Sequence, residues 1–238
     1  MQVSELWRFP VKSMQGERLA AADVTERGLQ GDRSWALRDE RNGTFLTARR
    51  EPQLLFASAR LDADGAARVT LDDGTPLADD AAISAWLGYP VQLVPASPEV
   101  QGTYEIALSV DDEEHAEWIS WDGPTGRFHD STKASVSIVT SATMRDWDVR
   151  RFRMNVIADG DGEEALVGAR LRLGSAEVDV QKPIGRCVMT TRPQPGGIER
   201  DLTVLKTINA ELGGNLGIGC LVATPGRVMI GDEIVRLA

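Results

Sequence analysis

The sequence predicts a mainly β fold of the α+β class, arranged in two lobes with a few short helices. Apolar and polar residues alternate over short segments, which is typical of half-buried strands. Glycine, aspartate and proline turns separate these segments at intervals that favour a barrel or a sandwich. An acidic stretch without periodicity, residues 96–130, divides the strand-rich parts. We therefore expect one domain over residues 1–95 and a second over residues 96–238.

The first lobe begins with a strand whose apolar positions are Val3, Leu6 and Phe9 and which ends at Pro10. Proline ends it because its nitrogen has no hydrogen to donate to a sheet. Further strand segments follow in order: residues 33–38, a strand through Phe45 and Leu46 after a turn at 39–43, and a hairpin over 56–75 around Asp-Ala-Asp-Gly.

A short helix is predicted over residues 80–88, with Asp80 as its N-terminal cap and Gly88 at its end. Its apolar residues Ile83, Trp86 and Leu87 then share one face. A strand over residues 91–94 closes the first lobe. In the acidic stretch that follows, we expect a short helix over residues 113–121.

The second lobe begins with the alternating strand Ala-Ser-Val-Ser-Ile-Val-Thr, residues 134–140, and a short helix from Ser141. The remaining elements are predicted as strands over residues 152–158, 169–180, 217–223 and 227–237 and a helix over 201–212 capped by Asp201. The segment 169–180 is expected to form a hairpin around Gly174, because Leu171, Leu173, Val178 and Val180 alternate with polar residues.

Composition excludes several classes of protein. The chain has 238 residues, of which 42% are hydrophobic, so it is long enough to bury a core and is not predicted to be disordered. The sequence holds no apolar run long enough for a membrane span and no apolar leader, and its only cysteines are Cys187 and Cys220. We therefore expect a cytoplasmic protein without disulfides, membrane spans or a four-ligand zinc site.

The net charge of −10 argues against nucleic acid as a partner, because such binding needs a basic surface. The charge is unevenly distributed: residues 96–130 carry −8, whereas residues 131–238 carry +1. A local basic region in an acidic chain favours a small anionic ligand. Arginines concentrate at positions 145, 150, 151 and 153, although Arg150 and Arg151 could simply pair with Asp146 and Asp148.

Residues 181–197, Gln-Lys-Pro-Ile-Gly-Arg-Cys-Val-Met-Thr-Thr-Arg-Pro-Gln-Pro-Gly-Gly, are the main candidate for chemistry. Cys187 follows Arg186 and lies near Lys182 and Arg192, and such cations favour the thiolate. A thiolate serves as a nucleophile or as a soft metal ligand. The alternative is a small buried core residue, which is the interpretation we give to Cys220 among its apolar neighbours.

Three further cationic or polar residues could bind an anion. Lys12 and Ser13 follow the first strand, where an ammonium and a hydroxyl could meet an oxyanion. Arg33 could clamp a phosphate with its guanidinium or cover apolar surface with its stem. His115 and His129 have no visible partner in the sequence, so a surface or structural role is expected for both.

Together these segments resemble the MOSC family, which is named for the C-terminal domain of molybdenum cofactor sulfurases. The segments PVKSMQG and GDRSWAL resemble the family's N-terminal β-barrel domain. The MOSC β-barrel domain itself is resembled, in chain order, by FHDSTKASVSIVTSATM, RFRMN, GARLRLG, RCVMTTRPQPGG, DLTVLKTI and RVMIGDEIV. The resemblance covers nearly the whole chain and is centred on Arg-Cys-x-x-Thr-Thr.

The resemblance implies that the molybdenum cofactor (molybdopterin) is held between the lobes and that Cys187 is the metal ligand and the catalytic residue. It implies cofactor-binding residues in both lobes: Lys12, Ser13 and Arg33 in the first, and Thr140, Arg153, Asn155 and Arg186 in the second. Gly185 supplies no side chain where relatives that reduce N-hydroxylated compounds often carry cysteine or serine.

The resemblance also implies an oxidoreductase that reduces small N-hydroxylated or N-oxide substrates. Electrons would come from a separate donor protein of the ferredoxin, cytochrome or flavoprotein type, because the chain has no cysteine cluster for an iron–sulfur centre. A second hypothesis is a sulfur carrier or cofactor-delivery module, in which Cys187 accepts a sulfur atom from a sulfur donor and holds it as a persulfide. A third is a β protein that kept the fold without the cofactor.

Overall fold

The computed structural model describes residues 1–107 and 117–237. Its first part contains the helix α1 (Asp80–Leu87) and the strands β1 (Gln2–Arg8), β2 (Glu17–Leu19), β3 (Ala21–Thr25), β4 (Gly28–Leu29), β5 (Trp35–Asp39), β6 (Ala57–Leu61), β7 (Ala67–Leu71), β8 (Pro76–Leu77), β9 (Val91–Pro95), β10 (Gln101–Ala107) and β11 (Trp118–Thr125). Its second part contains the helices α2 (Ser141–Met144) and α3 (Leu202–Glu211) and the strands β12 (Val136–Thr140), β13 (Val156–Asp159), β14 (Arg170–Leu173), β15 (Ala176–Gly185), β16 (Asn215–Thr224), β17 (Gly226–Met229) and β18 (Ile234–Arg236). The predicted mainly β fold is confirmed.

One eight-stranded sheet organises the molecule, in the order β18-β14-β15-β16-β12-β13-β1-β2. Strand β1 comes from the N-terminal lobe but pairs with β13, where Leu6 lies opposite Val156. This pairing brings the end of β1 beside the segment that precedes β13, and the Trp7 N–H donates to the Asn155 carbonyl at 2.8 Å. The two halves of the chain are therefore joined through one sheet. The expected domain boundary after residue 95 stays a prediction.

The smaller sheets are β17-β3-β4, β5-β9, β6-β7-β8 and the hairpin β10-β11. The hairpin β6-β7 has the predicted position, with Ala57 opposite Leu71. Strand β17 pairs with β3, so the C-terminal end of the chain also contacts the N-terminal lobe. Both ends of the sequence thereby hold the lobes together.

Separate apolar cores fill the two lobes. The N-terminal core includes Met14, Leu54 and Ile83, and the partly buried Met189 of the other lobe packs against it. The main sheet buries the predicted face of the β14-β15 hairpin, including Leu171 and Val178. Burying a side chain of this size contributes about 2 kcal/mol. The position of Met189 places the preceding residues at the junction between the lobes.

Several predicted details are wrong. Residues 118–121, predicted as helix, belong to β11, and the remainder of that prediction lies largely outside the described residues. Phe45 makes isolated bridges to Arg38 and Tyr104 rather than a strand. The segment 152–155 precedes β13 as turns. Apolar and polar residues alternate locally in these segments, but contacts with residues distant in sequence determine their backbone conformation.

The ends of the helices test the predicted caps. Asp79, not Asp80, caps α1 by accepting from the Ala82 N–H, while Asp80 accepts from the Leu93 N–H at 2.9 Å. Gly88 ends α1 with a positive φ of 84°, as predicted. Asp201 caps α3 as predicted, and Val204 and Ile208 form the buried face of that helix. No helix in the described part of the chain has the length and apolar character needed to cross a membrane.

Candidate functional site

A cavity of about 410 Å³ lies at the junction of the lobes. Its walls come from the loop after β1, the loop after Phe45, the segment before β12, the turn before β13, and the end of β15. Seven of the eight predicted site residues line it: Lys12, Ser13, Arg33, Arg153, Asn155, Arg186 and Cys187. The fold thus collects in one place residues that are up to 175 positions apart in the chain.

The cavity is strongly cationic. Seven lysines and arginines line it against two carboxylates, so its lining carries a net charge of +5 in a chain of net charge −10. The seven are the predicted Lys12, Arg33, Arg153 and Arg186, together with Arg49, Arg151 and Lys182. A cationic cavity in an acidic protein attracts a small anion.

Lys12 is buried, with 4% of its surface exposed. Its ammonium donates to the Phe128 carbonyl at 3.0 Å and to the Asp130 carboxylate, and it lies 4.6 Å from the centre of the Tyr104 ring. Burial lowers the pKa of Lys12, and the charges of Arg33 and Arg153 lower it further, against the opposing effect of Asp130. The ammonium is therefore fixed where an added anion would stabilise its charge.

Arg33 and Arg153 form a pair of guanidinium groups over the Phe9 ring, at 5.3 and 4.7 Å from its centre. Arg33 donates to the Arg153 carbonyl at 3.1 Å, and Arg153 donates to the Met14 carbonyl. Burial, followed by the charge of Arg33, lowers the pKa of Arg153 to about 9. Two like charges are therefore held together at this end of the cavity.

Backbone strain concentrates at the same residues. Among the described non-glycine residues, four have a positive φ, and Ser13 (71°), Arg33 (48°) and Arg153 (53°) line the cavity. Each such residue costs roughly 1–2 kcal/mol. Ser13 is held in place because its Oγ accepts from the Ala48 N–H at 2.9 Å. Strain of this kind persists where the surrounding structure fixes side chains for a function.

Asp130 lies in the wall of the cavity, where its carboxylate accepts from the buried Lys12 ammonium. Burial among protein groups raises the pKa of Asp130, but the charges of Lys12, Arg33 and Arg153 outweigh it and hold the pKa below its usual range. This carboxylate is ionised at neutral pH and compensates part of the positive charge of its neighbours. Its place in the site is not apparent from the sequence alone.

Asn155 fixes the joint between the lobes rather than offering all of its groups to a ligand. Its Oδ1 accepts from the Ser137 N–H at 3.1 Å and from the Ser137 hydroxyl at 2.9 Å. Its Nδ2 donates to the Trp7 carbonyl at 3.3 Å. The residue lines the cavity, but these bonds give it a structural role as well.

Arg186 is positioned by a bulge in β16. Gly217 has a φ of +74°, and the register of β15 with β16 shifts beside it. The Leu216 carbonyl consequently accepts from Arg186 Nε at 3.1 Å and Nη2 at 2.7 Å, and the Phe152 carbonyl accepts from Nη1 at 3.1 Å. Burial lowers the pKa of Arg186 to about 10. The guanidinium anchors the chain immediately before Cys187.

Cys187 is partly buried and precedes the 3₁₀ turn Val188–Thr191, whose Thr190 N–H donates to the Cys187 carbonyl at 3.1 Å. Burial raises the pKa of the Cys187 thiol and outweighs the Met189 N–H and the charges of Arg49 and Arg186, which lower it. The predicted preference for the thiolate is therefore wrong for the protein alone. In the described part of the chain, no three His, Cys, Asp or Glu side chains cluster as metal ligands.

Thr140 is not among the residues that line this cavity, and its expected place beside the cofactor stays a prediction. Its hydroxyl donates to Glu163 at 2.5 Å, and it caps the short helix α2. Thr140 is the last residue of β12 in the main sheet. The Glu163 carboxylate that accepts from its hydroxyl is buried.

Three residues that the sequence does not predict as part of the site also line the cavity: Arg49, Arg151 and His129. Arg151 donates to the Thr190 and Glu199 carbonyls, at 3.1 and 2.7 Å, whereas Arg150 pairs with Asp148 at 2.7 Å. The suggested ion pair is thus confirmed for Arg150 and wrong for Arg151. No local pattern in the sequence marks Arg49, which lies in the loop after Phe45 that lines the cavity.

His129 is buried, with 4% of its surface exposed, and its Nε2 has no hydrogen-bond partner in the described structure. Burial, with the charge of Arg33, lowers the pKa of His129 to about 3, so the imidazole is neutral. Of the two roles expected for this histidine, surface or structural, its burial excludes the first. His115 lies outside the described residues.

Comparison with known proteins matches both parts of the chain to one family. Residues 1–120 match the MOSC N-terminal beta barrel domain, and residues 122–235 match the MOSC domain. Mitochondrial amidoxime-reducing component 1 of Homo sapiens is 23% identical over 99% of this chain and 82% of its own length. Mitochondrial amidoxime reducing component 2 of Bos taurus is 41% identical, but over only 26% of this chain and 19% of its own length.

A further relative is the molybdenum cofactor sulfurase of Drosophila grimshawi, 28% identical over 93% of this chain but only 32% of its own length. Among solved structures, the YUAD protein of Bacillus subtilis is 12% identical over 98% of this chain and 93% of its own, with a TM-score of 0.45. YiiM of Geobacillus stearothermophilus is 15% identical over 57% and 72% of the two chains, with a TM-score of 0.37. On the two domain matches, which together span almost all of its residues, the chain belongs to the MOSC family.

Proposed function

We propose that this protein binds the molybdenum cofactor in the cavity between its lobes and reduces small N-hydroxylated or N-oxide compounds. Electrons come from a separate donor protein. The observation that carries the proposal is the combination of a cationic cavity with a net lining charge of +5 and a cysteine thiol on its wall. The cofactor is an anionic phosphate ester, and its metal accepts a thiolate ligand.

The residues present fit this cofactor. Arg33 and Arg153 lie close enough to Lys12 that their charges lower its pKa, although burial lowers it more. Asp130 beside Lys12 and Asp32 beside Arg33 compensate part of this positive charge, and an added phosphate would stabilise the remainder. The neutral His129 offers a buried nitrogen without a partner on the same wall. Each of these features favours a polar, anionic ligand over an apolar one.

Each site residue then has a distinct task. Lys12, Ser13, Arg33 and Arg153 hold the anionic and polar parts of the cofactor from both sides of the junction. Arg186 fixes the turn that presents Cys187, because the Leu216 and Phe152 carbonyls hold its guanidinium. The Cys187 thiol loses its proton to become a ligand, and the charges of Arg49 and Arg186 favour that loss. Ile184 and Met189 supply apolar surface that limits water beside the thiol.

The bound cofactor supplies two-electron chemistry by cycling between Mo(VI) and Mo(IV). Reduction of an N-hydroxylated compound consumes two electrons and two protons, breaks the N–O bond and releases water. The electrons come from the donor protein and the protons from solvent. The relatives named as amidoxime-reducing components support this choice of substrate class.

The test is the metal content of protein made in a host that synthesises the cofactor, with Cys187→Ala beside the wild type. We expect near-stoichiometric molybdenum in the wild type and a loss of roughly 10-fold or more in Cys187→Ala. Cys220→Ala is the matched control, since that cysteine is fully buried in the main core and should leave loading unchanged. Reduction of benzamidoxime with an artificial electron donor should follow the molybdenum content.

Two outcomes contradict the proposal. If Cys187→Ala keeps both molybdenum and reductase activity, the thiol is not the ligand. If wild-type protein lacks molybdenum while a known molybdoenzyme from the same host is loaded, the protein is not a cofactor enzyme. Addition of one sulfur atom to Cys187 by a cysteine desulfurase, without turnover, would then favour the sulfur-carrier hypothesis.

A further inference from the structure

Gly185 is the one glycine of this chain that neither backbone conformation nor packing explains. Glycine serves where the backbone is left-handed, where another part of the protein approaches closely, or where a ligand does. The chain has 23 glycines, all of them among the described residues, and 17 have a positive φ. Five of the others would place a Cβ within 3.0 Å of another atom: Gly16, Gly102, Gly123, Gly219 and Gly226.

A side chain at position 185 would meet almost nothing in the protein. Gly185 ends β15 without a positive φ and is exposed. A Cβ added there would lie 3.8 Å from Asn215 Oδ1, an ordinary van der Waals distance, and no other described atom outside the adjoining residues comes within 4 Å. Glycine here loses more conformational freedom on folding than alanine would, and the fold gains nothing in return. Close approach of a ligand is the remaining reason for it.

The space at Gly185 lies in the cavity wall, on the same side of the chain as the Cys187 thiol. Both residues line the cavity, and Cys187 has an extended backbone with φ −129° and ψ −179°. Successive side chains of an extended chain point to opposite sides, so positions 185 and 187 share a side, roughly 7 Å apart. Arg186 between them turns its guanidinium to the Leu216 carbonyl. The missing side chain therefore leaves room beside the thiol.

Apolar side chains flank this space. Ile184 adjoins Gly185, and Met189 follows Cys187 by two residues; both line the cavity and are partly buried against apolar cores. The glycine itself presents only backbone, against which a flat group can lie closely. The cations that we assign to the cofactor come from other segments of the wall, the loop after β1 and the turn before β13. An apolar group of a ligand fits this place better than a phosphate does.

We propose that the space at Gly185 receives the substituent of the substrate, so that the preferred substrates are N-hydroxylated compounds with a bulky apolar group, such as an aryl ring, beside the N–O group. This inference rests on the proposed function. Gly185 is then a specificity-determining residue, because its missing side chain sets the size of the group that fits beside Cys187. In an apolar pocket a difference of one methylene discriminates between substrates by roughly 10-fold or more.

The test fills the space and compares benzamidoxime with acetamidoxime, which carry the same reducible group on a phenyl and on a methyl. The kcat/KM ratio of benzamidoxime to acetamidoxime should fall from wild type to Gly185→Ala to Gly185→Val, by roughly 10-fold in the valine variant. Ala63→Val is the matched control and should keep the wild-type ratio, since it enlarges an exposed residue between β6 and β7 that does not line the cavity.

Two further readouts do not depend on turnover. Molybdenum content should equal that of the wild type in both Gly185 variants. The urea midpoint of cofactor-free Gly185→Ala should equal or exceed that of the wild type, because alanine restricts the unfolded chain and meets no obstacle in the folded one.

Alkylation of cofactor-free protein tests the space directly. N-methylmaleimide and N-phenylmaleimide share one reactive double bond and differ in the size of the group on nitrogen. The ratio of their rates at Cys187, phenyl over methyl, should fall several-fold in Gly185→Val and stay unchanged in Ala63→Val. Cys220 is fully buried, so the modified cysteine is Cys187, and peptide mass spectrometry checks this assignment.

Unchanged substrate or maleimide ratios in Gly185→Val, at wild-type molybdenum content, would overturn the inference and leave the reductase proposal intact. Loss of molybdenum in Gly185→Val would assign the space to the cofactor, and a lower urea midpoint in Gly185→Ala would assign the glycine to the fold; either result would also overturn it. A wild-type protein that lacks molybdenum and reduces neither compound would refute the proposed function and the inference together.

Discussion

Acidification from pH 7 to pH 5 should destabilise the cofactor-free protein through His129. Burial lowers the pKa of this imidazole to about 3, with Arg33 and Arg127 acting in the same direction and Asp32 and Asp130 against it. In the unfolded chain a histidine has a pKa of about 6.5. The unfolded state therefore binds the proton first as the pH falls, and stability present above about pH 6.5 is lost between there and pH 3.

The size of the effect follows from the two pKa values. Below pH 6.5 each pH unit costs at most about 1.4 kcal/mol, so the loss between pH 7 and pH 5 is about 2 kcal/mol. Urea denaturation of the wild type and His129→Gln at both pH values measures it. The carboxylates contribute equally to the pH dependence of both proteins. The difference between the two losses of stability from pH 7 to pH 5 therefore isolates the contribution of His129.

His115→Gln is the matched control, since the chain has two histidines, and it should keep the full loss at pH 5. An imidazole NMR titration of the folded wild type provides an independent check: the His129 signal should show no protonation above pH 5. The reasoning is refuted if His129 titrates near pH 6.5, or if His129→Gln loses as much stability as the wild type.

Two predictions concern backbone geometry and are measured by urea denaturation at pH 7. Gly217→Ala should cost at least about 2 kcal/mol, because a Cβ would lie 2.7 Å from the Ile138 carbonyl oxygen at a φ of +74°. Gly43→Ala, with a similar φ and no atom within 4 Å, should cost only about 1 kcal/mol, and equal losses would show that the close approach is unimportant. Arg145→Gly should stabilise the protein by about 1 kcal/mol, because φ 57° and ψ −136° suit glycine and its exposed ion pair with Glu211 contributes less; a net loss would contradict this.

Strands of the second lobe were predictable because alternation is a local signal. Leu171 and Val178 face the core with the spacing that the sequence shows, and β15 leads directly to the Arg-Cys motif. The hairpin β10-β11 gave no such signal. Its stability depends on contacts between distant residues, such as the Tyr104 and Trp121 rings at 5.6 Å, and residues 118–121 were assigned to a helix.

The candidate site divides in the same way. Cys187 and Arg186 could be selected because a cysteine beside an arginine after a strand is a local pattern. Asp130 and Arg49 could not, because their importance comes from the charges that the fold places around them. The hydroxyl of Thr140 donates to the buried Glu163 carboxylate, and nothing in the sequence near Thr140 indicates that contact.

Residues that resemblance selected are mostly those that would hold the cofactor, and three of them show positive φ. A cofactor that stays bound through many turnovers justifies a strained, preorganised site. The strain at Ser13, Arg33 and Arg153 therefore supports their proposed assignment to the cofactor.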